Sequence, residues 1–472
     1  MAIDTDIAVI GGGPGGYVAA IRAAQLGARV VLIEKEFLGG TCTNRGCIPS
    51  KVFLDAAARY EALKHASDYG LIVGSAGFDF GQVQARKTRI VQQLRSAVET
   101  LVKGNGVTYL HGFGSFVDPH RVQVRMDDGQ TQDVTARNVV IATGSAVNRP
   151  PIPGVNLPAV FDSDQAMTFT EIPQSVIIIG GGAIGVEFAS VFAAFGSQVT
   201  VVEMLPSLVP LEDPDLGRAL AQQFERRGIK VLVGTKLDQI VESPAGGLDI
   251  SVTTNAGPQT LHAERAMIAI GRIPFKDGVG LDRIGVEMSG RFVKVNSRMQ
   301  TNVPGVYAIG DLVNGAYAHT AMAQGEVAVE SAVGQDSEMD YRAIPSVIFS
   351  FPQVASVGLS EEKARATGQE IKVGRYPFAA VAKATIAGDT AGFVKVVADA
   401  KYGQILGVHM IGPEVTDLIA EAALAVMMEG TVEDIAHTVH AHPTLPEGFK
   451  EATLDVEQRP IHVVRRRRTT VA

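Results

Sequence analysis

An α/β fold with two dinucleotide-binding units in series, followed by a C-terminal α+β block, is predicted by three observations. An apolar strand over 6–10 runs into Gly11-Gly12-Gly13-Pro14-Gly15-Gly16, then a helical pattern through Gly27, a second strand over 29–33 and a terminal acid, Glu34. The same unit returns as a strand over 174–179, Gly180-Gly181-Gly182-Ala183-Ile184-Gly185, a strand over 199–202 and Glu203. Eighteen positions separate Gly16 from Glu34 and Gly185 from Glu203, and the second unit lies 169 positions beyond the first. From 341 onward the pattern changes to short hairpin-like strands (346–349, 392–397, 403–410) and an apolar helix over 414–428.

The order of parts carries the first two units. A lone G-x-G-x-x-G is weak evidence, but strand, glycines, helix, second strand and acid in sequence is the Rossmann-like arrangement. Its glycines let backbone approach a pyrophosphate at a helix N-terminus, and its acid meets ribose hydroxyls. Two further apolar stretches, 139–145 ending at Gly144 and 266–272 ending at Gly271, read as one completing strand per unit. Arg149-Pro150-Pro151-Ile152-Pro153-Gly154 is a stiff linker between the units. The strand over 304–311 ends in Asp311, which is suited to a ribose or polyol hydroxyl and alternatively to a helix N-cap.

The only two cysteines stand in Gly39-Gly40-Thr41-Cys42-Thr43-Asn44-Arg45-Gly46-Cys47-Ile48-Pro49-Ser50-Lys51. A structural disulfide or two inert thiols is the bland alternative, but so short a loop gains little entropy from closure. Pro49 is tolerated only in a first helical turn, so a helix starts or restarts near Cys47. Residues five apart on an ideal helix have Cα atoms about 8–9 Å apart, whereas a disulfide needs about 4.4–6.8 Å. Residues 42–46 therefore leave helical geometry if the bond forms. Cys47 would lie at a helix N-terminus, where the dipole favours a thiolate, with Lys51 on its face. The pair reads as a redox-active disulfide.

Near the C-terminus stands His437-Thr438-Val439-His440-Ala441-His442-Pro443-Thr444-Leu445-Pro446-Glu447. The three histidines match no common zinc spacing, so no metal is assigned. A His442–Glu447 couple suited to proton transfer is the preferred reading. The tail Arg465-Arg466-Arg467-Arg468 reads as a solvated end.

Composition sets outer bounds. A chain of 472 residues holds about three domains. A net charge of −8 without aromatic-interleaved basic stripes argues against nucleic acid, and no apolar run reaches membrane-spanning length. Residues 1–5 leave no room for a targeting segment, and a two-cysteine chain suits a reducing, cytoplasmic setting.

Two dinucleotide units, a Cys-x4-Cys pair and a terminal His-Pro…Glu together resemble the FAD-dependent pyridine nucleotide–disulfide oxidoreductases over essentially the whole chain, most closely the branch that oxidises dihydrolipoamide. The resemblance implies an FAD-binding domain over 1–148, an NAD-binding domain over 149–272, a central domain completing the FAD site over 273–340, and a dimerisation domain over 341–472. It implies FAD held by Gly11, Gly13, Pro14, Gly15, Gly16, Glu34, Lys35, Gly40, Thr41, Lys51, Gly114, Thr143, Gly144, Asp311 and Ala321. It implies NAD held by Gly180, Gly182, Ile184, Gly185, Glu203 and Gly271. Cys42 would exchange with substrate sulfur, Cys47 would face the flavin, and Lys51 would pair with Glu187 beside it. His442, oriented by Glu447, would serve as base and acid across a homodimer. The implied partners are lipoyl domains and the acyltransferase core of 2-oxo acid dehydrogenase complexes. Many members carry a small apolar residue at the position of Arg45 and a serine at that of Pro446.

Glu203-Met204-Leu205-Pro206 presents an acid and no arginine, and a carboxylate beside a 2′-phosphate costs on the order of 1–4 kcal/mol at about 4 Å. NAD is thus favoured over NADP. The alternatives are another NAD(P)H-dependent flavin disulfide reductase, an NADH diaphorase in which the cysteines are secondary, and a scaffold subunit.

Overall fold

The computed structural model describes residues 2–315 and 317–464, so the Arg465–Arg468 tail lies outside the described residues. The first sheet is built as the strand pattern demands. Ile3–Ile10 pairs in parallel with Val30–Glu34 on one side and Thr131–Ile141 on the other, and Thr108–His111 extends the parallel edge. Phe113–Asp118 and Arg121–Arg125 add an antiparallel flank. A late strand, Val306–Ala308, returns to pair with Thr131–Ile141, so residues far along the chain finish the first sheet. Strands covered on both faces should read as continuous apolar runs, and 7–10, 30–33 and 139–141 are buried throughout.

The second sheet is parallel throughout, in the order Lys230–Leu232, Gln198–Val202, Ser175–Ile179, Arg265–Ile268, Val160–Asp162. A three-stranded antiparallel meander, 236–263, packs against it. The chain leaves the first unit through Ser145–Val147 and comes back through Arg272–Pro274, and these two crossings pair antiparallel as a ribbon. The C-terminal sheet is antiparallel, in the order Ser346–Ile348, Gln353–Gly358, Ile405–Gly412, Phe393–Asp399, Ile371–Pro377. Helices Val415–Met427 and Glu447–Val456 cover it. No described helix is long and apolar enough to cross a membrane.

One detail differs from expectation. The stretch 266–272, expected as a strand ending at its glycine, is strand only to Ile268, and Gly271 adopts a left-handed φ of 100° where the chain turns to the ribbon. With both cysteines as free thiols, the segment between them stays largely helical. Gly40–Arg45 is a helical turn, the break falls on Gly46 alone (φ −120°, ψ −109°), and a new helix runs Cys47–Lys64. A single glycine separates the two helices, and a Cβ there would lie 3.0 Å from the Thr41 carbonyl.

The second unit and the C-terminal sheet meet at a buried polar knot. The Lys395 side chain is 4% exposed and its Nζ lies 3.0 Å from Asp213 and 2.8 Å from both Asp215 and Glu361. Burial works against all three carboxylates, but Lys395 and local N–H donors hold them below the usual range. His409, also buried, donates Nε2–H to the Leu359 carbonyl at 2.9 Å, and burial lowers its pKa. A base whose folded pKa is depressed is protonated first in the unfolded chain, so its contribution is lost as pH falls below about 6.5. The carboxylates, depressed in the folded state, withdraw their stabilisation only further down, through the acid range. His409→Gln keeps the Leu359 bond and cannot take up a proton. The expected outcome is a flatter loss of stability between pH 6.5 and 5.5, by at most about 1.4 kcal/mol per pH unit, read from urea midpoints. An unchanged slope would count against this assignment.

Candidate active site

The two glycine loops have the same geometry down to their hydrogen bonds. Gly11 and Gly180 have φ of 108° and 112°, and a Cβ on either would strike a carbonyl of the adjacent strand, Ala142 or Ala269. A Cβ on Gly16 or Gly185 would sit 1.8 or 1.9 Å from the carbonyl of Gly11 or Gly180. These four glycines are demanded by the turn itself. Gly13 and Gly182 differ: their φ values, −67° and −75°, suit any residue. An added Cβ at Gly13 would meet nothing nearer than 4.0 Å, and at Gly182 nothing within 4 Å. Nothing in the protein requires glycine there, whereas a pyrophosphate resting on the backbone does. Both glycines are N-caps without side-chain caps, leaving the first helical N–H groups of Pro14–Gln25 and Ala183–Ala194 for such a ligand. The residues present fit two dinucleotides.

Glu34 and Glu203 complete the parallel. Glu34 accepts from the N–H groups of Gly12 and Glu36, both at 2.7 Å. Glu203 accepts from Gly181 at 2.6 Å and Leu205 at 2.7 Å. Each carboxylate thus ties the glycine loop to the strand end and keeps lone pairs for hydroxyls.

The cysteine segment is brought onto the first loop. Gly39 N–H donates to the Gly12 carbonyl at 2.8 Å, and a Cβ on Gly40 would lie 2.6 Å from the Gly13 Cα. Cys42 is partly exposed and Cys47 exposed, both as free thiols in hydrogen-bond contact. That hydrogen bond, aided by the Lys51 charge, lowers the Cys47 pKa; the same contact, with burial, raises that of Cys42. Lys51, one turn along the helix, places Nζ 2.7 Å from both carboxylate oxygens of buried Glu187 on Ala183–Ala194. The cysteine helix of the first unit and the glycine-loop helix of the second are joined there.

Asp311 lies in a single turn, Gly310–Leu312, after its strand, and does not cap the helix Ala318–Ala332, whose N-cap is Tyr317. Ser145 donates to its carboxylate, and Arg272 donates to Ser145 Oγ at 2.8 Å. Burial raises the Asp311 pKa against these two. The Ala321 carbonyl would lie 2.7 Å from a Cβ on Gly15, so that helix closes against the first loop. Within this helix the Thr320 hydroxyl is buried and unpartnered. Lys35 sits 3.9 Å above the Phe275 ring, and Thr143 Oγ1 donates to the Phe275 carbonyl at 2.6 Å. Gly144 takes a φ of 70°. Thr41 is the second residue of the short helical turn, and its carbonyl would meet a Cβ on Gly46 at 3.0 Å. Pro14 is the first residue of its helix and Ile184 the second of its own. Gly114 has a packing reason for its identity, since a Cβ there would press on Ile10 and Ile33 at 3.2 Å.

His442 and Glu447 meet as the spacing suggests. Nδ1 lies 2.8 Å from Glu447, whose other oxygen accepts the Thr444 N–H at 2.8 Å. Burial opposes ionisation of Glu447, but these donors hold it below the usual range. The His442 side chain is 71% exposed, and no hydrogen bond or ion pair links it to either cysteine of its own chain. Among the described residues no cluster of histidine, cysteine and acids is arranged to hold a metal.

One residue beside the site, Phe349, carries no sequence signal. Phe349 donates its N–H to Glu187 at 3.0 Å and lies 4.6 Å from Lys51 Nζ over its ring, although 162 positions separate it from Glu187. Arg272 stands beside Gly271 in the strand-end motif, so adjacency could have flagged it. Arg45 pairs with Glu36 and, at 3.6 Å, with Asp164, and so ties the cysteine turn to the short helix Ser163–Ala166.

Comparisons with known proteins agree over the full length. Residues 5–326 match the family model described as pyridine nucleotide-disulphide oxidoreductase, and 344–453 match its dimerisation domain. The chain is 40% identical over 469 residues to the mitochondrial dihydrolipoyl dehydrogenase of Pisum sativum, covering 98% of this chain and 93% of that one. It is 38% identical over 473 residues to the dihydrolipoyl dehydrogenase of Bacillus subtilis, covering 98% and 100%, and 41% identical over 465 residues to leghemoglobin reductase of Vigna unguiculata, covering 97% and 88%. Among solved structures it is similar to LpdA of Mycobacterium tuberculosis (TM-score 0.88, 27% identity, covering 95% and 99%). It is also similar to the HOCl-induced flavoprotein disulfide reductase RclA of Escherichia coli (TM-score 0.83, 26% identity, covering 95% and 99%).

Proposed function

The chain belongs to the pyridine nucleotide-disulphide oxidoreductases, and we infer from that membership that it is a dihydrolipoyl dehydrogenase using FAD and NAD. The observation that carries this reading is the thiol pair hydrogen-bonded to itself, with its thiolate member at a helix N-terminus beside Lys51 and Glu187. When bound, FAD accepts two electrons from the thiols and NAD+ carries them away as hydride.

The protein's own groups perform the exchange. A substrate thiolate, deprotonated by His442, attacks Cys42 of the Cys42–Cys47 disulfide, and Cys47 leaves as a thiolate stabilised by Lys51 and the helix dipole. The second substrate thiolate then attacks the mixed disulfide, so that Cys42 departs and takes up a proton while the substrate closes to its own disulfide. The first unit and Asp311 hold FAD, and the second unit with Glu203 holds NAD. In this reading the domains run 1–148, 149–272, 273–340 and 341–472. The His442–Glu447 couple serves the cysteines of the partner subunit in a homodimer. The physiological dithiol is carried on lipoyl domains around an acyltransferase core of a 2-oxo acid dehydrogenase complex. A reducing compartment such as the cytoplasm suits a chain whose two cysteines both work.

The test is anaerobic reduction of the purified protein with one equivalent of NADH, followed by oxidised lipoamide. A long-wavelength band of thiolate against oxidised flavin, discharged by lipoamide, is the expected outcome. Bleaching without that band, untouched by lipoamide, would transfer the assignment to a diaphorase.

Cofactor choice has its own test. Glu203→Arg removes the charge that repels a 2′-phosphate and also releases the Gly181 and Leu205 N–H groups. NADH use should therefore weaken by more than charge alone requires, with NADPH use rising. Glu203→Gln, which keeps one acceptor oxygen, should lose less NADH affinity. A native preference for NADPH in steady-state kinetics would refute the argument.

A further inference from the structure

Residues 438–446, which carry His442, contain neither helix nor strand, so side chains must fix the segment. Most of its polar bonds are local. Thr438 Oγ1 donates to the Asp434 carbonyl at 2.8 Å, Lys450 Nζ to the Thr438 carbonyl at 2.9 Å, and Thr444 Oγ1 to the Ala441 carbonyl at 2.6 Å. Glu447 holds His442 and Thr444. These fix the internal shape of the segment. Leu445 gives it an apolar seat on the C-terminal core near its end, and one polar pair ties down the stretch that carries the base. His440, two residues before His442, has a side chain only 5% exposed; its Nε2 lies 2.9 Å from Glu421 and its Nδ1 faces the Thr438 carbonyl at 3.0 Å. Glu421 belongs to Val415–Met427, a long helix packed on the C-terminal sheet. Among the described residues this is the segment's one polar tie to an element outside 434–450.

We propose that His440 and Glu421 are positioning residues for the base: they lock the His442 segment onto helix Val415–Met427 so that the imidazole reaches thiols it does not touch within its own chain. Burial explains why this histidine, unlike exposed His442, acts as an anchor. Its ring nitrogens are both engaged, and none is free to exchange protons with substrate. Displacing a catalytic group by about 1 Å can cost on the order of 100-fold in rate, so a loosened anchor should show in turnover well before it shows in folding.

The inference rests on the dihydrolipoyl dehydrogenase reading, and the experiment separates the two. His440→Leu and His440→Gln would be compared with the unsubstituted flavoprotein for dihydrolipoamide oxidation, NADH-to-quinone reduction, dimer content and thermal midpoint. Leucine fills the site without hydrogen-bonding; glutamine restores an N–H to Glu421. The expected result is a kcat for dihydrolipoamide lowered at least about 10-fold in the leucine variant. KM and quinone reduction should stay within about two-fold, and glutamine should recover most of the rate. Glu421→Leu should reproduce the leucine phenotype. Equal rates for all variants would overturn the proposal, as would a loss that glutamine fails to rescue or that quinone reduction shares. No dihydrolipoamide oxidation by the unsubstituted protein would overturn the reading beneath it.

Discussion

Cys42→Ser is expected to abolish dihydrolipoamide oxidation, a loss of roughly 10⁴–10⁶-fold as for removal of other enzyme nucleophiles. Reduction of a quinone by NADH should survive within a few-fold. The reason lies in the division of labour between the two sulfurs. Cys42 is the partner whose proton is held, and Cys47 the one whose thiolate is stabilised by the Cys42 hydrogen bond and by Lys51. A serine hydroxyl is a poor leaving group in sulfur exchange and forms no mixed disulfide. Electron flow from NADH to an external acceptor needs neither sulfur. Serine at 42 with undiminished dihydrolipoamide turnover would remove the disulfide relay from the mechanism altogether.

The second large effect falls on His442. His442→Gln should lower dihydrolipoamide turnover by roughly 10²–10⁴-fold, the usual contribution of a general acid or base, again sparing quinone reduction. Its sharper form uses both variants at once. If the base serves the partner's cysteines, a mixed dimer of one chain carrying only Cys42→Ser and one carrying only His442→Gln retains one intact site of two. Random re-pairing of equal amounts should then restore about a quarter of native activity from two inactive parents. Re-paired material that stays inactive would place the base and the thiols on one chain. The 71% exposure of His442, with no hydrogen bond or ion pair from it to Cys42 or Cys47 among the described residues, favours recovery.

Both predictions draw on residues that were legible in the sequence. The Cys-x4-Cys pair could be placed at a helix start from Pro49 alone, because proline is tolerated in a first turn and nowhere further in. His442 and Glu447 were paired by spacing. The doubled unit was legible for a stronger reason. Each glycine and acid at a fixed offset answers a steric or hydrogen-bonding demand within about twenty residues, and the structure repeats those demands at Gly11 and Gly180, Gly16 and Gly185, Glu34 and Glu203.

Other features were hidden for an equally physical reason. Phe349 reaches Glu187 across 162 positions, Arg272 reaches Ser145 across 127, and Lys395 reaches Asp213 across 182. No local periodicity encodes such pairs, since each side satisfies its own segment's pattern and the partner is chosen by how sheets dock. Gly40–Arg45 was hidden differently. Spacing shows only that a disulfide between the cysteines would require a break in the helix, whereas the packed backbone places a break at Gly46 with the thiols free.

By itself the sequence determined the two glycine-loop units, their order, the Cys-x4-Cys spacing at a helix start and the pairing of His442 with Glu447, because these depend on contacts between near neighbours in the chain. Tertiary structure alone decided that Phe349 joins the Lys51–Glu187 pair, that a strand at 306–308 finishes a sheet begun at residue 3, and that His440 is buried against Glu421 where His442 is exposed. Those outcomes depend on burial and on which surfaces meet. A histidine reads the same in either setting until the fold places one against Glu421 and leaves the other facing out.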